Sequence, residues 1–154
     1  HRAIDSHIIE LGDIARPLGS ALSRKELPPA VESELRAIES ADLLIAATPV
    51  YRASYPGQFK HLFDLIGQDA LVAKPVLFAA TGGSERHALV IDHQLRPLFS
   101  FFQALTLPTG VYASEADFSS YEISSELLQA RIRLAVQHAL PLLAAHTAEE
   151  LQAA

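Results

Sequence analysis

Two stretches carry residue types that could do chemistry. The first is Thr48-Pro49-Val50-Tyr51-Arg52-Ala53-Ser54-Tyr55-Pro56-Gly57, and the second is Thr81-Gly82-Gly83-Ser84. Each follows a short apolar run and leads into a helical pattern. Backbone N–H groups at such a helix start, together with the helix dipole, suit a phosphate or an electron-rich ring edge. Tyr51 and Tyr55 either cap the edge of the core or stack on a flat ring such as isoalloxazine. Arg52 is either a solvated loop charge or a contact for a phosphate of a pyridine nucleotide. In the second stretch, two glycines remove side chains, permit positive φ and allow close backbone approach. Ser84 reads as the N-cap of the helix that starts at Glu85.

The other reactive side chains form no recognisable constellation. Ser84 lies in GGSER, which misses the last glycine of a G-x-S-x-G nucleophile elbow. His87 and His93 fall on different faces of a helix, and Asp92 beside His93 completes no zinc-site spacing. His61 and Asp64 at i, i+3 read as surface electrostatics, and Asp92 with Arg96 at i, i+4 as an ordinary helix pair. Phe99, Phe101 and Phe102 read as core or as a subunit interface.

The elements that must position these stretches follow from the patterning. Leu43 to Ala47 is a continuous apolar run, the mark of a parallel strand buried on both faces, and Thr48-Pro49 stops its ladder. Gln58 to Leu65 is the helix after it. Lys74 to Ala80 is a second buried strand, followed by a long helix from Glu85 to Gln103 with Pro97 inside. Upstream, Ala3 to Leu11 reads as a strand, residues 14–29 as loop, and Pro29 to Ser40 as a helix with Val31, Leu35 and Ile38 on its apolar face. Downstream, Leu105 to Tyr112 is a strand broken by Pro108 and Gly110, and Ser124 to Leu143 an amphipathic helix with a fraying Ala-rich end. Strands alternating with helices imply parallel pairing with right-handed crossovers, and ligands at the carboxyl ends of the strands.

Composition narrows the classes. At 154 residues and 49% hydrophobic the chain has material for one globular domain, expected to span 1–154. A net charge of −6 argues against a nucleic-acid partner. Cysteine is absent, which removes disulfides and thiolate chemistry and fits a reducing, cytoplasmic setting. No run approaches the roughly 20 apolar residues of a membrane span.

Thr48 to Asp64 (TPVYRASYPGQFKHLFD) resembles the signature of the NAD(P)H-dependent FMN reductases. Ala80-Thr81-Gly82-Gly83-Ser84 with His87, then Asp92 to Pro97, is similar to the branch serving two-component sulfonate monooxygenases. The resemblance runs from Ala3 to Phe118. It implies a flavodoxin-like, doubly wound parallel sheet with helices on both faces. It places Thr48, Pro49, Val50, Tyr51, Ser54, Thr81, Gly82, Gly83 and Ser84 at the flavin. It further implies hydride transfer from NADPH or NADH to FMN, with no catalytic side chain and no metal. Reduced FMN then passes to a partner monooxygenase. The rival readings are an FMN-binding electron carrier and a quinone or azo reductase that keeps its flavin.

Two departures from the family stand out. Alkanesulfonate-type members carry a tyrosine where this chain has His93, in a π-type turn at a subunit interface. A histidine there resembles the methanesulfonate-linked reductases, and a dimer or tetramer is expected with His93 near the contact. The family also opens with a strand, a serine-rich loop that grips the FMN phosphate, and a first helix. None precedes His1, so they are expected upstream, with a strand-width slot between residues 3–11 and 43–47.

Overall fold

A computed structural model describes residues 4–153. Its centre is a parallel sheet in which the strand β2 (Pro75–Gly82) lies between β1 (Leu44–Pro49) and the pair β3 (Leu105–Thr106) and β4 (Val111–Ser114). β3 pairs with the start of β2 and β4 with its end, so the two fill one strand position. Between them the register slips by two residues, at the Pro108 and Gly110 breaks. Arg96 fastens this break, donating to the carbonyls of Leu107 at 2.7 Å and Pro108 at 2.9 Å.

β2 is buried on both faces, and its side chains alternate between two cores. Val76, Phe78 and Ala80 join the larger cluster, built from α1 (Leu11–Ser20), α2 (Pro29–Ser40), α3 (Gly57–Leu65) and α4 (Arg96–Phe101). Leu77 and Ala79 face the smaller one, with Leu128, Ala135 and Ala139 of α5 (Glu126–Ala153). Helices therefore cover both faces of the sheet, as a doubly wound domain requires. Phe63, Phe78, Phe99 and Phe102 make edge contacts at the centre of the larger core. Phe101 lies outside it, 63% exposed.

Several expectations need correction. Residues 4–10 form no strand, and among the described residues β1 pairs only with β2, so the topology expected for residues 3–11 does not arise; Ala3 itself lies outside the described residues. A strand exists only through a neighbour's ladder, and among the described residues no ladder joins this segment. From Leu11 the chain is helical where loop was expected. Gly12 reads as the end of the expected strand and Pro17 and Gly19 as loop punctuation, and Pro17 should cost about 3 kcal/mol inside a helix. Leu11, Ile14 and Leu18 nonetheless form a stripe, and Leu18 is fully buried where α1 packs on α3. His61 is no partner of Asp64: its Nε2 lies 3.0 Å from the carbonyls of both Leu18 and Ala21, at the end of α1. Asp64 pairs with Lys60 instead.

β1 is buried on one face only, with Ile45 64% exposed on the other. Its ladder continues through Thr48 and Pro49. The Val50 N–H points to β2, so the missing N–H of Pro49 falls on the opposite, edge side and costs the ladder nothing. The long helix expected from Glu85 is three pieces: a 3-10 turn at Glu85–His87, a π-helix at Ile91–Leu95, and α4. Pro97 has no N–H for the His93 carbonyl and would crowd it. The wide turn, in which the Arg96 N–H reaches back to Ile91, accommodates this. α5 continues past Leu143 to Ala153. The helix Pro29–Ser40, the helix starting at Gly57 and the strand from Pro75 stand as expected.

At the other end of the sheet a polar clamp joins the ends of α2 and α3. Arg24 pairs with both Glu32 and Glu39, and Glu39 accepts the Gly67 N–H at 2.8 Å. Lys74 is buried and donates to the carbonyls of Glu39 and Ala41, satisfying the end of α2.

Candidate functional site

The turn after β1 is a two-residue hairpin loop. The Tyr51 N–H donates to Ser54 at 2.8 Å and the Ser54 N–H returns to Tyr51 at 3.2 Å. Arg52 and Ala53 between them take φ of 50° and 67°. Two successive left-handed residues define a type I′ turn, for which Asn-Gly is the usual choice. Arginine and alanine hold it at a cost of about 1–2 kcal/mol each. Strain of this kind persists where surrounding bonds over-determine it. Here the Ser54 hydroxyl donates to Gln94 Oε1 at 3.1 Å, which ties the turn to the π-helix. The Val50 N–H donates to the Thr81 carbonyl at 2.7 Å, which ties it to the second turn.

The second turn works differently. No glycine in the described structure has positive φ, so the freedom expected of Gly82 and Gly83 is not what the turn uses. Gly82 is required for space, since a Cβ there would overlap the Tyr112 hydroxyl. Tyr112, on β4, donates that hydroxyl to the Ser84 carbonyl at 2.6 Å. Burial, then the nearby charge of Glu85, pushes its pKa up, so it remains a donor. Gly83 is exposed, and a Cβ there would meet nothing closer than Glu115 Oε1 at 3.6 Å. Ser84 precedes a 3-10 turn and makes no side-chain cap bond, against expectation.

Pro49 and Thr81 are register partners, so the structure brings the two turns side by side at the carboxyl ends of adjacent parallel strands. Tyr51 is 64% exposed and, with Val50 and Arg52, lines an open depression of about 410 Å³. Of the residues expected at the flavin, Pro49, Val50, Tyr51, Ser54, Thr81, Gly82, Gly83 and Ser84 gather at this edge. Thr48 does not present a free side chain: it is buried, and its hydroxyl donates to the Pro49 carbonyl at 3.1 Å. Sequence reasoning missed Tyr112 and Gln94. The one signal for Tyr112 was its place at the end of a strand following Gly110. Nothing in the sequence pointed to Gln94.

The chemistry of this donor set suits a flat, electron-rich ring. One wall is the bare backbone of Gly83, the other an exposed tyrosine on a closed turn, with Arg52 in the first turn and Arg86 just after the second. Among the described residues no cluster of His, Asp and Glu could hold a metal, and no helix is long and apolar enough to cross a membrane.

A doubly wound parallel sheet with paired turns at its strand ends defines a flavodoxin-like, nucleotide-binding α/β protein. Residues 1–119 match the family described as NADPH-dependent FMN reductase, and the chain belongs to that family. It is 72% identical over 146 residues to the NADH-dependent FMN reductase SfnF of Pseudomonas fluorescens, covering 95% of this chain and 78% of that one. It is 68% identical over 139 residues to an FMN reductase (NADPH) of Pseudomonas aeruginosa, covering 90% and 75%. Among solved structures, an oxidoreductase from Corynebacterium diphtheriae superimposes with a TM-score of 0.78 at 38% identity, over 88% of this chain and 74% of that one.

Proposed function

We propose that this protein is an NAD(P)H:FMN oxidoreductase whose flavin ring lies against the turns Pro49–Ser54 and Thr81–Ser84. The observation that carries the reading is the bond from the Val50 N–H to the Thr81 carbonyl, which locks the two turns together as one surface. When bound, FMN supplies the hydride acceptor and the nicotinamide the donor. The chain's own contribution is to bind and orient. The Gly83 backbone gives close approach on one side, and Tyr51 and Val50 give a flat apolar contact on the other. Holding two rings in register replaces a bimolecular encounter with an oriented one, and no side-chain acid or base is needed. Thr48 contributes through the backbone of its strand rather than its hydroxyl.

Reduced FMN passes to a separate flavin-dependent monooxygenase, of the sulfonate-oxidising kind, in the cytoplasm. The working form is a homo-oligomer, a dimer or tetramer, with the exposed His93 and its π-turn at the contact. Support for this is the π-helix at Ile91–Leu95 and the exposure of Phe101 on the helix that continues it. Only monomer in sedimentation at micromolar concentration, at both pH 6 and pH 8, overturns the oligomer.

Steady-state oxidation of NADH and NADPH with excess free FMN tests the function. A reductase saturates in FMN and in at least one nucleotide, and the ratio of kcat/KM values gives the preference. An electron carrier saturates in neither. A quinone or azo reductase with resident flavin turns over those acceptors without added FMN.

A further inference from the structure

Tyr112 belongs to no motif discussed above, yet it holds the second turn from outside through its side chain. It sits on β4, across β2 from the strand that carries the first turn. Its ring passes beside Gly82, with Cζ at 3.3 Å from where a Cβ would be, and its hydroxyl ends on the Ser84 carbonyl at 2.6 Å. Gly82 has no need of unusual backbone angles. The absence of a side chain there therefore serves the tyrosine. The glycine and the hydroxyl are two halves of one device.

We propose that Tyr112 is a positioning residue, a latch that sets the Thr81–Ser84 turn in the orientation that receives the flavin ring. The inference rests on the flavin site proposed above. The peptide after Ser84 is trans, so its carbonyl and the Glu85 N–H point in opposite directions. With the carbonyl held on Tyr112, that N–H is turned away from β4. Without the hydroxyl the peptide is free to rotate, and the turn must be ordered each time flavin binds. FMN affinity then carries an ordering cost that the latch removes in advance.

The test is a double-mutant cycle on the full-length protein. It reads FMN affinity by fluorescence quenching, KM for FMN and for the nucleotide, kcat, and thermal midpoint. Tyr112→Phe keeps the ring and removes one hydrogen bond. FMN Kd and KM are expected to rise about fivefold, the scale of one such bond, with nucleotide KM and kcat little changed and the thermal midpoint lowered by no more than about 4 °C. Gly82→Ala alone is expected to weaken FMN more, because its methyl displaces the hydroxyl. In Gly82→Ala/Tyr112→Phe the overlap with the hydroxyl is gone and the ring, with Cζ at 3.3 Å, needs to give by only a few tenths of an ångström, so FMN affinity should return most of the way to that of Tyr112→Phe. That strong non-additivity is the signature of a shared device. A purely structural role would lower the thermal midpoint and leave FMN KM unmoved. That result, or additive effects in the cycle, overturns the latch. Gly83→Val separates the two levels of inference. If it weakens FMN binding while Tyr112→Phe does not, the latch falls and the flavin site stands. If neither variant changes FMN affinity, both fall.

Discussion

The two turns at the candidate site solve the same problem by opposite means. The Tyr51–Ser54 turn keeps its side chains and accepts strain, with Arg52 and Ala53 both left-handed and a local two-bond bridge closing it. The Thr81–Ser84 turn discards side chains, carries no left-handed residue, and is held by a tyrosine 28 residues further along the chain. The first is specified mostly by its own neighbourhood and offers side chains to a ligand. The second is specified at a distance and offers backbone. A surface that must pack against a flat ring needs both kinds of wall. Each wall makes a different demand on the rest of the fold.

The largest expected effect comes from filling the bare wall. Gly83 has no positive φ, and a Cβ there would make only an ordinary contact with Glu115, so Gly83→Val should change stability by no more than about 0.5 kcal/mol. FMN affinity should nevertheless fall by about tenfold or more, equivalent to about 1.4 kcal/mol. Fluorescence quenching alongside thermal unfolding checks this. Unchanged affinity would mean that the second turn does not face the ring.

An effect on stability alone should appear at the far end of the sheet, where the Arg24 clamp touches neither turn. Hydrogen bonds from Arg24 hold the Glu32 carboxyl down to about 2 and lower that of Glu39. Carboxylates depressed in the folded state add stability above their unfolded pKa, near 4.5, and lose it as pH falls through the folded value. Stability should therefore decline between about pH 4.5 and pH 2. Glu39→Gln, which removes a partly buried partner of Arg24, should cost about 1–2 kcal/mol at pH 7 and flatten part of that decline, with KM for FMN unchanged. Chemical denaturation across pH, compared with kinetics at pH 7, separates the clamp from the site. A change in KM for FMN would show that the two ends of the sheet are coupled.

The smallest effects should come from relaxing the strained wall. Ala53→Gly relieves a left-handed alanine, and Ser54→Ala frees the turn from Gln94. The first should raise stability by a few tenths to about 1 kcal/mol, and the second should lower it by about 0.5–1.5 kcal/mol. Both should raise KM for FMN modestly, about twofold, because a looser turn holds Tyr51 less firmly. If Ala53→Gly stabilises the protein and also lowers KM for FMN, the strain does nothing for binding.

Much of this was legible in the residues. The apolar run of β2, the i, i+4, i+7 stripe of α2 and the helix after Pro56 all report local periodicity, and local periodicity survives folding unchanged. The placement of both turns also followed from the chain, because a strand that ends must turn, and glycine, proline and tyrosine mark where. The first helix was not legible. Pro17 and Gly19 argued for loop, and the burial of Leu18 against α3 outweighed them. Nor was the one-sided burial of β1, since an apolar run does not say how many faces its neighbours will cover.

Short windows of residues thus settled the alternation of strands and helices, the two turns, and their side-chain inventory: one rich in tyrosine, one bare. Sterics and periodicity act within a few residues, so no folded neighbour was needed to read them. The distant group that completes each turn was decided only by folding. Gln94 reaches Ser54 and Tyr112 reaches Ser84 because parallel crossovers bring separate parts of the chain to one edge of the sheet. Gly82 shows the limit most clearly. Its backbone needs no glycine, and the reason for one is a hydroxyl that the chain delivers only after folding.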